Sequence, residues 1–294
     1  MYRFWLIGVL VSLCFDSFSQ DSLVHLSSGY WDHQANFNIA AEYLSDNVFL
    51  GRKDSVVTPY YGLQIGYTFR NGLYLTARED YTTAHKGRFD AGTIAAGYNF
   101  IQSKHWGGEL FGEKYFYNSN SKSIRSQISA IIGGIACYEN EWITPNMNIA
   151  LAFGQKTDVI INPSLNHEFA FLKEHLTITP AVNFSFATMH FMDAYYLRLA
   201  KQEGNKKAEK SVLNSSKLNL KDMELEIPIA YQYKCWEFTL LPTWIIPQNP
   251  AKISVGTTTI IEKLSQVFTL QAGLKFHIRV NTKHTSTIRG KSSQ

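Results

Sequence analysis

Long stretches of this chain alternate, residue by residue, between apolar and polar side chains. In 61–69, Leu63, Ile65, Tyr67 and Phe69 alternate with Gly62, Gln64, Gly66 and Thr68. In 146–154, Met147, Ile149, Leu151 and Phe153 alternate with Asn146, Asn148, Ala150 and Ala152. The same code runs through 176–188, 223–234 and 268–280, where Leu270, Leu274, Phe276 and Ile278 face away from Gln271, Lys275, His277 and Arg279. Successive side chains on a strand point to opposite sides, so each stretch predicts a β-strand with one greasy and one polar face.

Alternation does not say which face is buried, and a soluble secreted sandwich with its greasy faces inward carries the same code. Three features favour the membrane. The alternating stretches are ~10–16 residues long, whereas soluble strands cluster at ~5–6, and long tilted strands are what crossing a bilayer requires. Connections alternate between tight turns at 70–72, 103–105, 139–141, 173–174 and 234–235 and longer links at 51–56, 84–88, 118–123, 154–157, 200–217 and 247–265. Short periplasmic turns and longer external loops are the pattern of outer-membrane barrels. Aromatic residues also crowd beside the tight turns (Tyr67, Phe69, Tyr98, Phe100, Trp106, Tyr138, Trp142, Trp236), with a looser set towards the long links (Tyr60, Tyr61, Phe89, Phe116, Trp244). Two aromatic girdles follow from rings that prefer headgroup depth.

The expected fold is therefore all-β: a membrane-spanning antiparallel up-and-down β-barrel of about twelve strands, with ten and fourteen as alternatives. The strands are expected at roughly 37–50, 57–69, 73–84, 88–101, 106–118, 123–138, 142–154, 158–172, 175–195, 217–234, 236–247 and 266–280. Three places strain this map. Charge falls on both faces of 73–84, where Arg78 and Asp80 oppose Glu79, and of 106–118, where Glu109 and Glu113 oppose Lys114. A bulge would shift the register and relieve either strand. Residues 39–44 would also pass as a short helix, and 251–262 as a loop hairpin or an extension of the last strand pair.

The ends carry different information. A single positive charge at Arg3, an apolar run from Phe4 to Phe15 and small residues around Phe18 predict a signal peptide over 1–19, cut before Gln20. The barrel then occupies 20–280 and a polar, basic tail 281–294. Cleavage removes Arg3, Asp16 and Cys14, so the net charge stays +4, too weak to argue for nucleic acid. The remaining Cys137 and Cys235 fall on strands that are not neighbours, so two free thiols are expected.

In the last strand Gln271, Gly273, Phe276 and Ile278 resemble the assembly signal of outer-membrane proteins, although a tail follows where members of that family end on an aromatic. With the residues around Ser17–Gln20 and the Pro59-Tyr60 and Gly97-Tyr98 punctuation, the chain resembles small outer-membrane β-barrel proteins of the Bacteroidetes type. The resemblance implies the fold, the outer membrane as location and recognition by the barrel-assembly machinery; contact with outer-membrane lipid and lipopolysaccharide is expected from the topology, which turns the link 200–217 outward. The resemblance carries over no functional residue.

Few residues stand in patterns that carry chemistry. His167 lacks the second histidine a zinc-protease helix needs, His25 and His33 alone do not complete a metal site, and no phosphate-binding glycine motif follows a strand. The His-x-Ser-Asn-Gly run of outer-membrane phospholipases is absent; His25-Leu26-Ser27-Ser28-Gly29 departs from it at Ser28. Ser185 and His190 fall on opposite faces, so no nucleophile has a base placed by spacing, and neither enzyme activity nor a cofactor is expected. Parity does place Gln64, Arg78, Asp80, Arg125, Gln127, Glu168, Glu224, Glu226, Lys275, His277 and Arg279 in the lumen. That set reads either as a salt-bridged plug or as a polar conduit for small solutes. The link 200–217, with five lysines against two glutamates, faces outward and makes a closed barrel acting through its loops the second functional reading.

Overall fold

In the computed structural model, which describes residues 35–53, 59–83, 87–101, 105–121, 123–193, 195, 210–255 and 258–280, the chain closes into an antiparallel barrel. The strands are β1 Ala35–Leu44, β2 Tyr60–Thr68, β3 Leu73–Thr82, β4 Arg88–Ile101, β5 Trp106–Tyr117, β6 Ala130–Tyr138, β7 Thr144–Phe153 and β8 Thr157–Asn166 with Phe169–Phe171. They continue as β9 Leu176–Ile178 with Ala181–Ala187, β10 Asn219–Glu226 with Ile229–Tyr233, β11 Trp236–Pro247 and β12 Val267–Val280. Each pairs with its sequence neighbour, and β1 closes on β12 in a register running from Ala35 opposite Val280 to Leu44 opposite Gln271. Fifteen hydrogen-bonded segments, three of them continuations across a break, give these twelve strands.

The breaks have a common chemical cause. Proline has no N–H to give a ladder. Pro180 interrupts β9 and Pro228 interrupts β10, while β8 is broken at His167 and Glu168, opposite Pro180. The carbonyls stay in use across the seam: His167 N–H donates to Pro180 (3.2 Å), Thr179 to Pro228 (2.9 Å) and Ile227 to Pro242 (3.2 Å).

The greasy face points outward. Leu63 (64 % exposed), Ile65, Ile94, Leu110, Ile132 and Ile149 would all meet water around the barrel's waist, while their polar neighbours are buried. That inverts a soluble sandwich and fits a bilayer, where the closed ladder satisfies every backbone group without an edge. Aromatic pairs ring the tight-turn end, among them Tyr67–Phe69 at 4.7 Å, Trp106–Tyr138 at 5.0 Å and Trp236–Phe276 at 4.7 Å between centroids. At the other end Tyr61, Tyr81, Phe89, Phe116, Trp244 and Phe268 are exposed, but Tyr60 turns inward to donate to Asp90.

Several expected boundaries move. The first strand stops at Leu44, and residues 39–44 are strand rather than helix; Ser45 bonds Leu270, and the chain then turns into the barrel. The expected strand 123–138 begins only at Ala130, because Ser123 caps a 3-10 turn over Ile124–Gln127. The expected strand 175–195 ends at Ala187, where the ladder gives way to a helical turn at 190–193. Residues Lys252–Val255 and Thr258–Ile261 form a hairpin to which Lys210–Val212 adds a third strand. A bulge is present, but on β4: the register of β3 and β4 shifts between Asp80 and Tyr81 with Asp90 as the extra residue. The shift does not relieve the charges of 73–84, where the alternation is unbroken and Glu79 stays exposed opposite the buried Arg78 and Asp80. It puts the consecutive Asp90 and Ala91 both inside. The expected signal segment 1–19, residues 201–209 of the basic link and the expected tail 281–294 lie outside the described residues.

Candidate functional site

The barrel interior is acid-rich. Among the described residues ten carboxylates are buried there (Glu42, Asp46, Asp80, Asp90, Glu109, Asp158, Asp222, Glu224, Glu226 and Glu237) against four cations, Arg52, Arg78, Arg125 and Lys221. Gln64, Arg78, Asp80, Glu224 and Glu226, placed in the lumen by parity, are all buried. Lys275 and His277 are half-buried on β12, with His277 Nε2 3.2 Å from Glu237 and its Nδ1 3.2 Å from Asn36. Arg279 is exposed at the strand's end, and Glu168 sits half-buried in the break of β8. Arg125 and Gln127 are not on a strand; they belong to the 3-10 turn, which carries Arg125 inward over Phe49 and Tyr115 (4.9 and 5.1 Å to the ring centroids). In the segment expected to carry the assembly signal, Gln271 is buried inside, while Ile278 is exposed on the outer face.

One buried cation holds the seam of the barrel. Arg78 on β3 donates from Nη1 to Glu42 of β1 at 2.5 Å and from Nε to Asp80 at 3.0 Å. Gly62, on the strand between them, makes the room, since a Cβ there would stand 2.7 Å from Arg78 Cζ. Glu42 also accepts from Gln271 of β12 at 3.5 Å, so the first three strands and the last share one polar cluster. Glu42 and Glu237 were missed by the parity reading although both sit on alternating strands; the signal was there, in the even and odd positions of 37–50 and 236–247.

Much of the remaining polar lining has no protein partner. Among the described residues Asn38 Oδ1, Gln64 Oε1, Asn99 Oδ1, Asn148 Oδ1 and both polar atoms of Asn162 are buried without a hydrogen bond. An unsatisfied buried polar group costs about 1–3 kcal/mol, and roomy polar interiors meet that demand with water. A fully salt-bridged plug would not leave these amide oxygens without partners.

The long-loop end is different. Phe49 and Leu50 from the β1–β2 link, Ile124 and Ile128 from the β5–β6 link, Met189, Phe191 and Met192 after β9, and Ala251 pack into one apolar cluster inside the mouth. Nothing in the sequence periodicity marks these residues, because they lie in links and short turns too brief to show a period. Arg52, 2 % exposed, ties the plug together by donating to the carbonyls of Leu50 (2.7 Å), Lys221 (3.0 Å), Gln248 (3.0 Å) and Asn249 (2.8 Å) and pairing with Glu262 (3.4 Å).

Beside the plug lies an arrangement that spacing did not reveal. Asp158, at the start of β8, accepts from Thr188 Oγ1 (2.7 Å), from the His190 and Phe191 amides (2.6 and 2.9 Å) and faces His190 Nδ1 at 2.9 Å. The other ring nitrogen, His190 Nε2, stands 2.9 Å from the hydroxyl of Ser216. Ser185 takes no part, being buried on the lumen face of β9.

No family model matches the chain, and no curated protein does. Solved structures that share its shape include the KdgM porin (10 % identity, TM-score 0.46, 82 % of this chain and 98 % of that one). The NanC porin (7 %, 0.45, 82 % and 98 %) and LpxR from Salmonella typhimurium (9 %, 0.42, 81 % and 99 %) are similar to a comparable degree. No residue or role is carried over from them.

Cys137 is buried and Cys235 half-buried, and both are free. In the turn after β6, Glu139 exchanges bonds with His105 (2.8 and 2.9 Å), and burial with the nearby Glu168 carboxylate pushes its pKa up from 4.5 to about 7. The folded state therefore holds a proton there that the unfolded chain has lost, so this group's contribution to stability falls as pH rises from 4.5 to about 7. Glu139→Gln is expected to gain on the wild type across that window, read as the temperature at which the folded band disappears from an unboiled gel. Equal pH profiles for the two proteins would contradict this.

Proposed function

We propose that the chain is an outer-membrane barrel that passes small polar solutes, cations ahead of anions, through a narrow lumen whose outer mouth is closed in this conformation by the apolar plug. The observation that carries the reading is the set of buried amide oxygens without a protein partner, on Asn38, Gln64, Asn99, Asn148 and Asn162, which a hydrated path satisfies and a dry core does not. The carboxylate excess supplies the charge preference, by the logic of acidic rings in cation pores. Gln64, Arg78, Asp80, Arg125, Glu224, Glu226, Lys275 and His277 belong to the lining on this reading. Planar-bilayer recordings of the refolded protein test it: small conductance steps are expected, and silence even after the plug is loosened would refute it.

The plug itself favours a second reading, a closed barrel that works through its outer loops. On either reading residues 1–19 are a cleaved leader, 20–280 the barrel and 281–294 a basic tail. The assembly machinery reads Gln271, Gly273, Phe276 and Ile278. The lysines of 200–217 face outward towards anionic lipopolysaccharide, and the barrel is of the small Bacteroidetes type. Deleting 201–209 without effect on binding to lipopolysaccharide would count against the loop role.

A further inference from the structure

Three side chains at the long-loop rim stand in the order nucleophile, base, orienting acid. Ser216 Oγ is 2.9 Å from His190 Nε2, and His190 Nδ1 is 2.9 Å from Asp158 Oδ1. Both distances lie within the 2.6–3.2 Å reach that general-base activation of a hydroxyl requires. Their exposures are graded as that chemistry needs: Asp158 is buried, the His190 side chain is 15 % exposed, and Ser216 is exposed. Asp158 is fixed by Thr188 and by two backbone amides, so it can hold the imidazole with Nδ1 protonated and Nε2 free to accept.

The serine's backbone is held as firmly. The turn at 213–216 is pinned on one side by Met189 N–H donating to Ser215 (2.7 Å) and Ser215 Oγ to Asp193 (3.1 Å). On the other side, Leu213 N–H donates to Lys252 (2.8 Å) and Asn214 Oδ1 accepts from Lys252 N–H (3.1 Å). A cap for the helical turn at 190–193 explains the amide bonds to Asp158. It does not explain why the imidazole is turned to span Asp158 and an exposed serine.

The surroundings indicate the substrate. Leu213 and Leu218, 59 % and 50 % exposed, flank Ser216, and the chain enters β10 immediately after, where its outer face meets lipid. Lys217, also exposed, is the next residue and brings a cation suited to an anionic headgroup or to the oxyanion of an ester under attack. We propose that Ser216, His190 and Asp158 form a hydrolytic site at the barrel rim that cleaves acyl esters of membrane lipids. Ser216 Oγ adds to the ester carbonyl as its proton passes to His190 Nε2. Collapse of the adduct breaks the acyl C–O bond, and His190 returns the proton to the departing alcohol. Water then adds to the acyl-serine with its proton taken by His190, and the fatty acid leaves as Ser216 recovers that proton.

The test uses the full-length protein refolded in detergent, with the unboiled-gel shift as the check of folding. A fluorophosphonate probe is expected to label Ser216, located by peptide mass spectrometry, and hydrolysis of p-nitrophenyl palmitate in mixed micelles should fall at least ~100-fold in Ser216→Ala and in His190→Asn. If Ser216→Ala loses the gel shift, Ser216→Cys replaces it: its alkylation by iodoacetamide should slow when His190→Asn is added. Absence of the adduct on folded protein, or equal hydrolysis by wild type and Ser216→Ala, would overturn the site. Cleavage of the butyrate ester alone would overturn the lipid assignment.

Discussion

Replacing Arg78 by leucine is expected to cost the barrel about 3–5 kcal/mol, because it leaves two buried carboxylates, Glu42 and Asp80, facing each other without their shared cation. Removing one partner of a buried pair is worse than removing all of it. The triple variant Arg78→Leu, Glu42→Gln, Asp80→Asn should therefore recover most of the loss. Arg78→Lys should fall between, since an ammonium cannot reproduce the two-pronged contact with carboxylates on different strands. Urea unfolding from lipid vesicles, followed by tryptophan fluorescence, reads the series. A single variant as stable as wild type would show that the cluster does not hold the β1–β3 seam.

Arg52→Ala should change transport rather than folding. Its guanidinium binds four carbonyls contributed by the β1–β2 link, β10 and the β11–β12 link, and so ties the Phe49–Leu50 side of the plug to the barrel wall. Charged hydrogen bonds of this kind are worth about 1.5–3 kcal/mol each, and losing the equivalent of one changes an open fraction roughly tenfold. Conductance per inserted barrel, or the frequency of open events, is expected to rise about tenfold or more while the unboiled-gel shift persists. Unchanged recordings would mean that the plug is not the barrier.

The two variants probe parts of the molecule that differ in how readable they are from sequence. Alternation gave the strands and their number, because a side-chain period of two is a local property that needs no tertiary knowledge; the outward greasy face came from strand length, the short and long connections and the aromatic girdles. The bulge at Asp90 was not legible: the charge conflict in 73–84 pointed to a shift in that strand, which instead alternates unbroken with Glu79 exposed on the outer face. The seam at Pro180 and Pro228 was not read, although proline inside a strand is a local signal for a ladder break. The plug was invisible for a deeper reason. Val48–Leu50, Ile124, Met189 and Met192 are short apolar stretches in links, and parity assigns sides of a sheet, not loops that fold back into the lumen. Arg125 shows the same failure on a single residue: it does end inside the barrel, but by way of a loop turn and not by strand parity. The rim site was the least legible, because Asp158 and Ser216 lie on opposite sides of His190 in sequence, 32 and 26 residues away, and meet only when β8, β9 and β10 pair.

The zero-current potential across a bilayer holding a tenfold KCl gradient tests the central claim most directly, measured on wild type and on Arg52→Ala. An interior with ten buried carboxylates and four cations should favour potassium, so the dilute side is expected to become positive in both proteins. The opposite sign, or no conductance from either protein once folding is established by the gel shift, would contradict the acid-lined path.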